Sequence, residues 1–556
     1  MGVSQTRGTP MFARLKKSGK NQYLQIVENR KVQGKVVQRV IGTLGRIELI
    51  NEKGGVETLI RSLSRYSERV LLVLSGNSDV VSQTKKIGPS VIFERLWKEL
   101  GIPKVIHSVL SNRHFFFDIE RAVFPTVLHR LMVSGSDRSC YRWRTDYGIE
   151  GIQGLSLHHL YRAMAFLGEE IEDQLVATPF SPRCTKDLIE ETLFLHNRHL
   201  FTGLDLVFFD TTSIYFEGSG GEDLGERGFS KDHRPDLRQM IVGVVLDDNG
   251  MPLCCEMWPG NTADVETLIP VVERIRKRFQ VSRFCIVADR GMVSQDTLTK
   301  LENPENKVPY ILGTRMRNLK EIKKKVFSRA GRYREVHPEG KSSKDPSPLK
   351  VKEVWVAGGR YIVCLNSRQA RKEALDREAI IESLKEQLKK GPKSLVGNKG
   401  YRKYLKMERE SFSIDMSKVD EEARFDGKWV LKTNTELSAE AVALKYKELW
   451  QVEHTFRDLK STFETRPVFH QTDGAIRGHV FCSFLALVLR KVLQRKLEEA
   501  GHGFSWAEIK QDLEALQLTM LDEHGKRLAV RSQCKGDCGK IFQAVGVAIP
   551  PTIEEL

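Results

Sequence analysis

The sequence predicts a mixed α/β protein, and three observations predict it. Apolar, β-prone runs at Leu204–Phe209, Gln239–Leu246 and Met251–Trp258 read as strands, the last two joined by the hairpin turn Asp247-Asp248-Asn249-Gly250. Helical and strand patterns then alternate: a helix ending at Phe279, a buried-type strand Arg283–Asp289, a helix Ser294–Leu301 and a strand Val308–Leu312. A long β-rich stretch separates this block from another strong helix beginning near Ser438.

The bulk properties bound the reading. At 556 residues the chain is too long for one ordinary core, so two to four domains are expected. Hydrophobic residues at 40% and charged residues at 29% exclude a disordered chain. A net charge of +16 favours a polyanionic partner, nucleic acid or an anionic membrane surface, although a basic enzyme would also carry it. No apolar run reaches the roughly 18–20 residues of a membrane span, and no charged-then-apolar leader opens the chain. Nine scattered cysteines point to the reducing cytoplasm. Cys534 and Cys538 lack a second close pair, which speaks against zinc.

Taken in order, residues 1–80 form a basic β-rich module, with Tyr23–Val27 and Lys35–Ile41 as strands about Gly34. Contact with DNA and a solvated sheet face both fit its charges. Residues 81–200 read as a helical, DNA-binding domain: Ile92–Leu100, Ala122–Met132 and Leu157–Leu167 have helical spacing, with Arg138, Arg142, Arg144 and Arg162 among them. The core begins at 201–313. The helix after its three strands starts at Asn261 or Thr262 as cap, with Asp264 and Glu266 in the first turn. Three antiparallel strands followed by helix, strand, helix, strand is the order of a ribonuclease-H-like fold. Residues 314–437 form a β-rich insertion, with a hairpin at Val351–Asn366, a charged helix Ala370–Lys390 and a strand Lys428–Thr433. Residues 438–500 return to the core with two helices, and 501–556 form a helical tail with loops.

Asp210 and Asp289 each end an apolar strand of the predicted sheet. One acid at a strand end is ordinarily a turn former; two on one sheet repel unless a cation lies between them. Mg²⁺ suits such oxygen ligands and keeps water and phosphate in its shell. A third acid comes from the helix containing Tyr446-Lys447-Glu448-Leu449-Trp450-Gln451-Val452-Glu453. At about 100° per residue from Tyr446, Glu453 falls near −20°, Arg457 near +20° and Lys460 near −40°, one polar stripe beside the apolar stripe of Val452, Phe456, Leu459 and Phe463. An amphipathic helix with incidental surface charge would give the same stripe, but it leaves the two strand-end acids unexplained. Three carboxylates and flanking cations are the equipment of two-metal phosphoryl transfer, with ions roughly 3.5–4 Å apart.

At these residues the sequence resembles the DDE transposases of bacterial insertion sequences, in the branch with a β-rich insert before the catalytic Glu. The resemblance rests on Phe208–Ser213, Gly228–Asp236 through Val242, Trp258-Pro259-Gly260-Asn261, Val287–Gly291 and the helix around Glu453, and it extends to the basic N-terminal segment. The family signature Tyr, two residues, Arg, three residues, Glu, six residues, Lys is met by Tyr446, Glu453 and Lys460, but its Arg position holds Leu449; Arg457, one turn after Glu453, is the candidate substitute.

The resemblance implies a catalytic and metal-binding triad of Asp210, Asp289 and Glu453. It implies two Mg²⁺ ions, with Mn²⁺ able to substitute, and double-stranded DNA partners: terminal inverted repeats and target DNA. It also implies a homodimer or higher synaptic complex, no membrane, and a cytoplasmic, nucleoid-associated location. Expected DNA contacts are Tyr446, Arg457, Lys460, Lys231, His233, Arg234 and Arg290, with Trp258 and Asn261 as further DNA-facing candidates; Trp258 also reads as a core residue. The rivals are a ribonuclease-H-like nuclease without strand transfer, an inactive transposase-derived DNA-binding protein, and a glycosidase with paired carboxylates. The basic charge and the cations beside Glu453 disfavour the last.

Overall fold

Residues 11–32, 35–52, 55–56, 81–111, 113–178, 181–201, 205–281, 283–305, 307–317, 321–337, 349–389, 403–408, 411–523 and 526–555 are described by the computed structural model. Gly34 therefore lies outside the described residues. The chain divides into two units, one of residues 1–84, 519–531 and 551–556, the other of residues 85–518 and 532–550.

In the first unit β1 (Met11–Ser18), β2 (Asn21–Val32) and β3 (Lys35–Arg46) form an antiparallel three-stranded sheet, followed by α1 (Ile47–Glu52) and β4 (Val81–Lys86). The basic β-module read from Tyr23–Val27 and Lys35–Ile41 thus has its strands where the alternating β-prone residues place them.

The second unit opens with helices α2 (Gly88–Glu99), α3 (Ile102–Val109), α4 (Ile119–Met132), α5 (Asp137–Trp143), α6 (Leu157–Gly168) and α7 (Thr185–His196). The sheet then begins with β5 (Leu206–Tyr215), β6 (Gln239–Asp247) and β7 (Pro252–Pro259). There follow α8 (Asp264–Phe279), β8 (Cys285–Ala288), α9 (Gln295–Leu301) and β9 (Tyr310–Gly313). The region read as an insertion supplies β10 (Arg334–Val336), β11 (Leu349–Val356), β12 (Gly359–Asn366), α10 (Ser367–Lys389), the hairpin β13 (Leu405–Glu408) and β14 (Ser411–Ile414), α11 (Met416–Ala423) and β15 (Lys428–Thr433). Helices α12 (Ala439–Lys447), α13 (Trp450–Arg457), α14 (Asp473–Glu499), α15 (Trp506–Glu514) and α16 (Cys538–Val545) complete it.

One nine-stranded mixed sheet organises this unit, in the order β10-β11-β12-β15-β9-β8-β5-β6-β7. Strands β5, β6 and β7 are antiparallel as expected, and β5, β8 and β9 run parallel. Four of the inserted strands extend this sheet: β15 pairs antiparallel with β9 and carries β12, β11 and β10 outward from it, while β13 and β14 form a separate two-stranded sheet. Alternation along the strands divides the core by face. Val207, Phe209, Ile286 and Ala288 pack under α8 and α9, whereas Phe208, Val244 and Val287 share a cluster with α12, α13 and α14.

Two expectations are corrected. The segment 81–200 is not a separate domain, because α4 and α6 pack on α14, a 27-residue helix buried along most of its length. A helix apolar on nearly all sides needs cover on all sides, and the N-terminal helices give it. Arg144, one of the arginines among these helices, is buried and donates to the carbonyl oxygens of Ile152 and Leu155. The tail is not wholly helical: β16 (Gln517–Glu523), β17 (Lys526–Arg531) and β18 (Ile553–Glu555) join β4 in a four-stranded sheet, a pairing between chain ends that local periodicity does not signal.

A buried charge network fastens α7, β7 and α8 together. Arg278 reaches Asp187 and Glu190 on α7 and Glu256 on β7, the last at 2.9 Å. Arg274 bonds Glu256 at 2.9 Å and Asp187 at 3.0 Å, and Lys186 lies 2.6 Å from Asp187. The cations hold Asp187 and Glu256 below their ordinary range, while burial pushes Glu190 up. Three cations and three carboxylates balance, the condition under which buried charge is tolerated. Among the described residues, no helix is long and apolar enough to cross a membrane.

Candidate active site

Strands β5 and β8 lie side by side with Phe209 opposite Ala288. The next residue on each is an acid, Asp210 and Asp289, so the register itself sets the two carboxylates beside one another. Strand β8 stops there. Strand β5 does not: Asp210 was expected at its end but stands in its middle, opposite Val244 of β6. The β-prone residues Thr211–Tyr215 continue the strand because β6 gives them a ladder partner.

Burial pushes the Asp210 carboxyl up to about 6, and the neighbouring Asp289 and Asp264 push the same way; Lys231 and the Thr211 N–H, at 2.7 Å, oppose them. Lys231 Nζ donates to the carbonyl oxygen and Oγ1 of Thr211, both at 2.8 Å, and lies 3.0 Å from Asp264. On the other side, Tyr446 Oη donates to Asp289 Oδ1 at 2.9 Å, and burial beside that acid holds the phenol well above its usual range. Gly313, the next residue after Leu312 opposite Ala288, leaves room for this contact: a Cβ there would lie 2.5 Å from Tyr446 Oη and 2.9 Å from the Arg290 nitrogen.

Glu453 is exposed on α13 and lines, with Asp289, Arg290 and Tyr446, a cavity of about 450 Å³. The three acids form an open arrangement. Among the described residues, the group whose ligand atoms all lie within 4.8 Å of one another is instead Asp137, His470 and His479. That group already holds its cation. Arg130 Nη2 is 3.0 Å from His479 Nδ1 and 3.6 Å from Asp137, and His479 Nε2 is 3.1 Å from the Thr465 carbonyl oxygen. At Asp210, Asp289 and Glu453 the donors are all carboxylate oxygens, the set that suits a hard divalent ion. Burial is the main cause that raises Asp210, and the repulsion from Asp289 and Asp264 that adds to it is of the kind such an ion relieves.

The sign of the Asp210 shift gives a pH dependence. Its folded-state value stands above the ordinary 3.8, so the folded protein keeps this proton when the unfolded chain has lost it. Metal-free stability therefore falls as pH rises through about 4 to 6, and a divalent ion placed at this carboxylate would compete with the proton below about 6. Titration calorimetry with Mn²⁺ is expected to show affinity falling about tenfold per pH unit below that point; affinity constant from pH 5 to 8 would contradict it.

The helix bearing Glu453 departs from the expected single stripe. Helix α12 ends at Lys447, α13 starts at Trp450, and Asp458–Thr462 is a π-helical turn. Leu449 is buried at the break, and the wide turn falls where Asp458 meets Arg490 of α14 at 2.8 Å. Tyr446 and Glu453 still face one cavity. Arg457 is exposed beyond them, and Lys460 turns to Asp232 at 2.7 Å, where Arg466 joins the same carboxylate.

The loop between β5 and β6 places Lys231 against the acids, while His233 and Arg234 are exposed, Arg234 paired with Asp236 at 2.9 Å. Arg290, directly after Asp289, is exposed, as is Asn261 after β7. Trp258 is not DNA-facing: it is 2% exposed and packs edge-on to Phe209 under α8. Both faces of β7 are buried, and the packing of α8 over the face that bears Trp258 decides this. Helix α8 begins later than Asn261 or Thr262, at Asp264, with Glu266 bonding back to the Ala263 nitrogen at 3.3 Å.

Sequence reasoning missed Arg315, Arg317, Phe425 and Lys428, which line the recesses about Asp289. The available signal was position: Thr314-Arg315-Met316-Arg317 follows β9, the strand next to that of Asp289.

The profile of the transposase DDE domain matches residues 202–489, the span that holds all three acids. The chain belongs to the DDE transposases. The N-terminal domain of IS1634 family transposases also matches, over residues 13–78. The protein is thus a DNA transposase of an insertion sequence, a DNA-binding enzyme of a family that uses divalent metal. A solved structure of a piggyBac transposase synaptic complex with hairpin DNA aligns over 77% of this chain and 79% of that one, at 10% identity and a TM-score of 0.38. None of the curated proteins matches the chain.

Proposed function

We propose that the transposase cleaves DNA at the ends of its insertion sequence and joins the freed 3′ hydroxyl to target DNA, with Asp210, Asp289 and Glu453 as its catalytic acids on a ribonuclease-H-like core. The observation that carries this reading is the adjacency of Asp210 and Asp289 on parallel strands, beside the cavity that Asp289 shares with Glu453. Two Mg²⁺ ions held by these carboxylates, or Mn²⁺ in their place, would activate the attacking hydroxyl and stabilise the leaving 3′ oxygen.

The chain's own groups orient this site. Tyr446 fixes one oxygen of Asp289, leaving the other for a ligand. Lys231 ties Thr211 to Asp264 and supplies the positive charge nearest Asp210, which keeps that acid from drifting further towards its protonated form. Arg290, Arg457, His233, Arg234 and Asn261 are exposed around the site and suit phosphate contact. Lys231, Lys460 and Tyr446 are engaged with protein partners and serve DNA from those positions. A homodimer or larger assembly on the terminal inverted repeats, acting at the nucleoid, completes the reading.

Strand joining separates this from a nuclease of the same fold. Pre-nicked element ends, incubated with Mg²⁺ and a supercoiled target, are expected to yield covalently joined product. Hydrolysis of the ends without any joined product would overturn the transfer step.

A further inference from the structure

Beside Asp289, a second recess of about 400 Å³ is lined by Asp289, Arg290, Gly291, Arg315, Met316 and Arg317. Three guanidinium groups share it with one carboxylate. Asp289 is already engaged by Tyr446, and among the described residues neither Arg290 nor Arg315 has a salt bridge. Arg315 is nonetheless held: its Nε donates to the Arg290 carbonyl oxygen at 3.3 Å and its Nη2 to that of Gly291 at 3.1 Å. A guanidinium pinned on two carbonyl oxygens keeps its remaining donors aimed while losing little freedom on binding an anion. Arg317 is steadied by Glu422 at 3.0 Å and by the Phe425 ring at 5.5 Å. Asp289, Arg290 and Arg317 also line the catalytic cavity, so the two recesses are continuous at the acid.

We propose that this arginine recess seats the DNA phosphate adjacent to the scissile one, with Arg315 as its positioning residue. The proposal rests on the catalytic reading above. The surplus of positive charge needs a compact anion. The recess adjoins Asp289, and phosphates recur about every 3.4 Å of duplex axis on one strand, so a neighbouring phosphate of the strand being cut is the anion at hand. Holding it fixes the scissile bond along its own strand, which a contact made elsewhere on the duplex would not do.

The test uses the full-length protein and a duplex carrying the element's own end. Arg315→Gln is expected to lower cleavage about 10–100-fold, the worth of one or two charge-assisted hydrogen bonds. It should also reduce the slope of log binding constant against log salt by about 1, which a purely structural role would not do. Replacing the adjacent phosphate with a neutral methylphosphonate should slow the wild type by a similar factor and leave Arg315→Gln unchanged, because the two changes remove one contact. Independent, multiplying effects, or an unaltered salt slope, would overturn the assignment. Should Arg315→Gln fail to fold, the methylphosphonate scan on wild type decides alone: no effect at either phosphate flanking the cut refutes the proposal. Failure of the catalytic reading itself would appear separately, as cleavage surviving Glu453→Gln.

Discussion

Glu453→Gln is expected to lower Mg²⁺-dependent cleavage of element ends by at least about 10³-fold, because a lost metal ligand removes several kcal/mol of transition-state stabilisation. The substitution keeps the size of the side chain and removes its charge. Glu453 is exposed at the cavity, so no packing is disturbed and the fold should be retained. Binding of the same ends without metal should change by no more than about threefold, since no phosphate contact is lost. Nicking is read on denaturing gels and binding by mobility shift. Equal cleavage by the two proteins would remove Glu453 from the catalytic set and, with it, the triad.

The second large effect lies far from the chemistry. Arg278→Ala should destabilise the protein by about 3–5 kcal/mol, because it leaves buried carboxylates without their cation. Arg278 is fully buried and touches Asp187, Glu190, Glu191 and Glu256. After its removal Lys186 and Arg274 face three buried acids, and Glu190, already pushed up by burial, would take up a proton to restore balance. Urea unfolding followed by tryptophan fluorescence reads the loss. A midpoint equal to that of wild type would show that the network contributes no cohesion. Arg278→Met is expected to be milder in packing and equally costly in charge, which separates the two causes.

Much of the fold was legible because short-range pattern and tertiary demand agreed. Lys428–Thr433 is a strand to the residue, and Asp247–Gly250 turns as its chemistry dictates. Asp289 was legible as an acid at a strand end because the apolar run before it is short and buried on both faces. Where tertiary partners decided, the pattern failed. Strand β5 runs past Asp210 only because β6 lies alongside. The turn after Arg457 widens into a π-helix where Asp458 meets Arg490. The spacing of Tyr446 and Glu453 survived the break at Leu449 well enough to place both at one cavity, whereas Lys460, beyond the wide turn, swung to Asp232. Trp258 was readable both ways from its position, and only the packing of α8 over β7 resolved it. The arginines at 315 and 317 lay in a stretch that composition marked as loop; what gives them meaning is the adjacency of β9 to β8.

The long helix α14 carries a lesson for engineering. Its flanks are covered by α4 and α6 from early in the chain and by α16 from near its end. Swapping N-terminal segments between relatives at a seam near residue 200 would strip one hydrophobic wall from both halves, so chimeras joined there should come out insoluble. A seam directly ahead of α2 fares no better, since it parts β4 from β16, β17 and β18, the strands that share its four-stranded sheet.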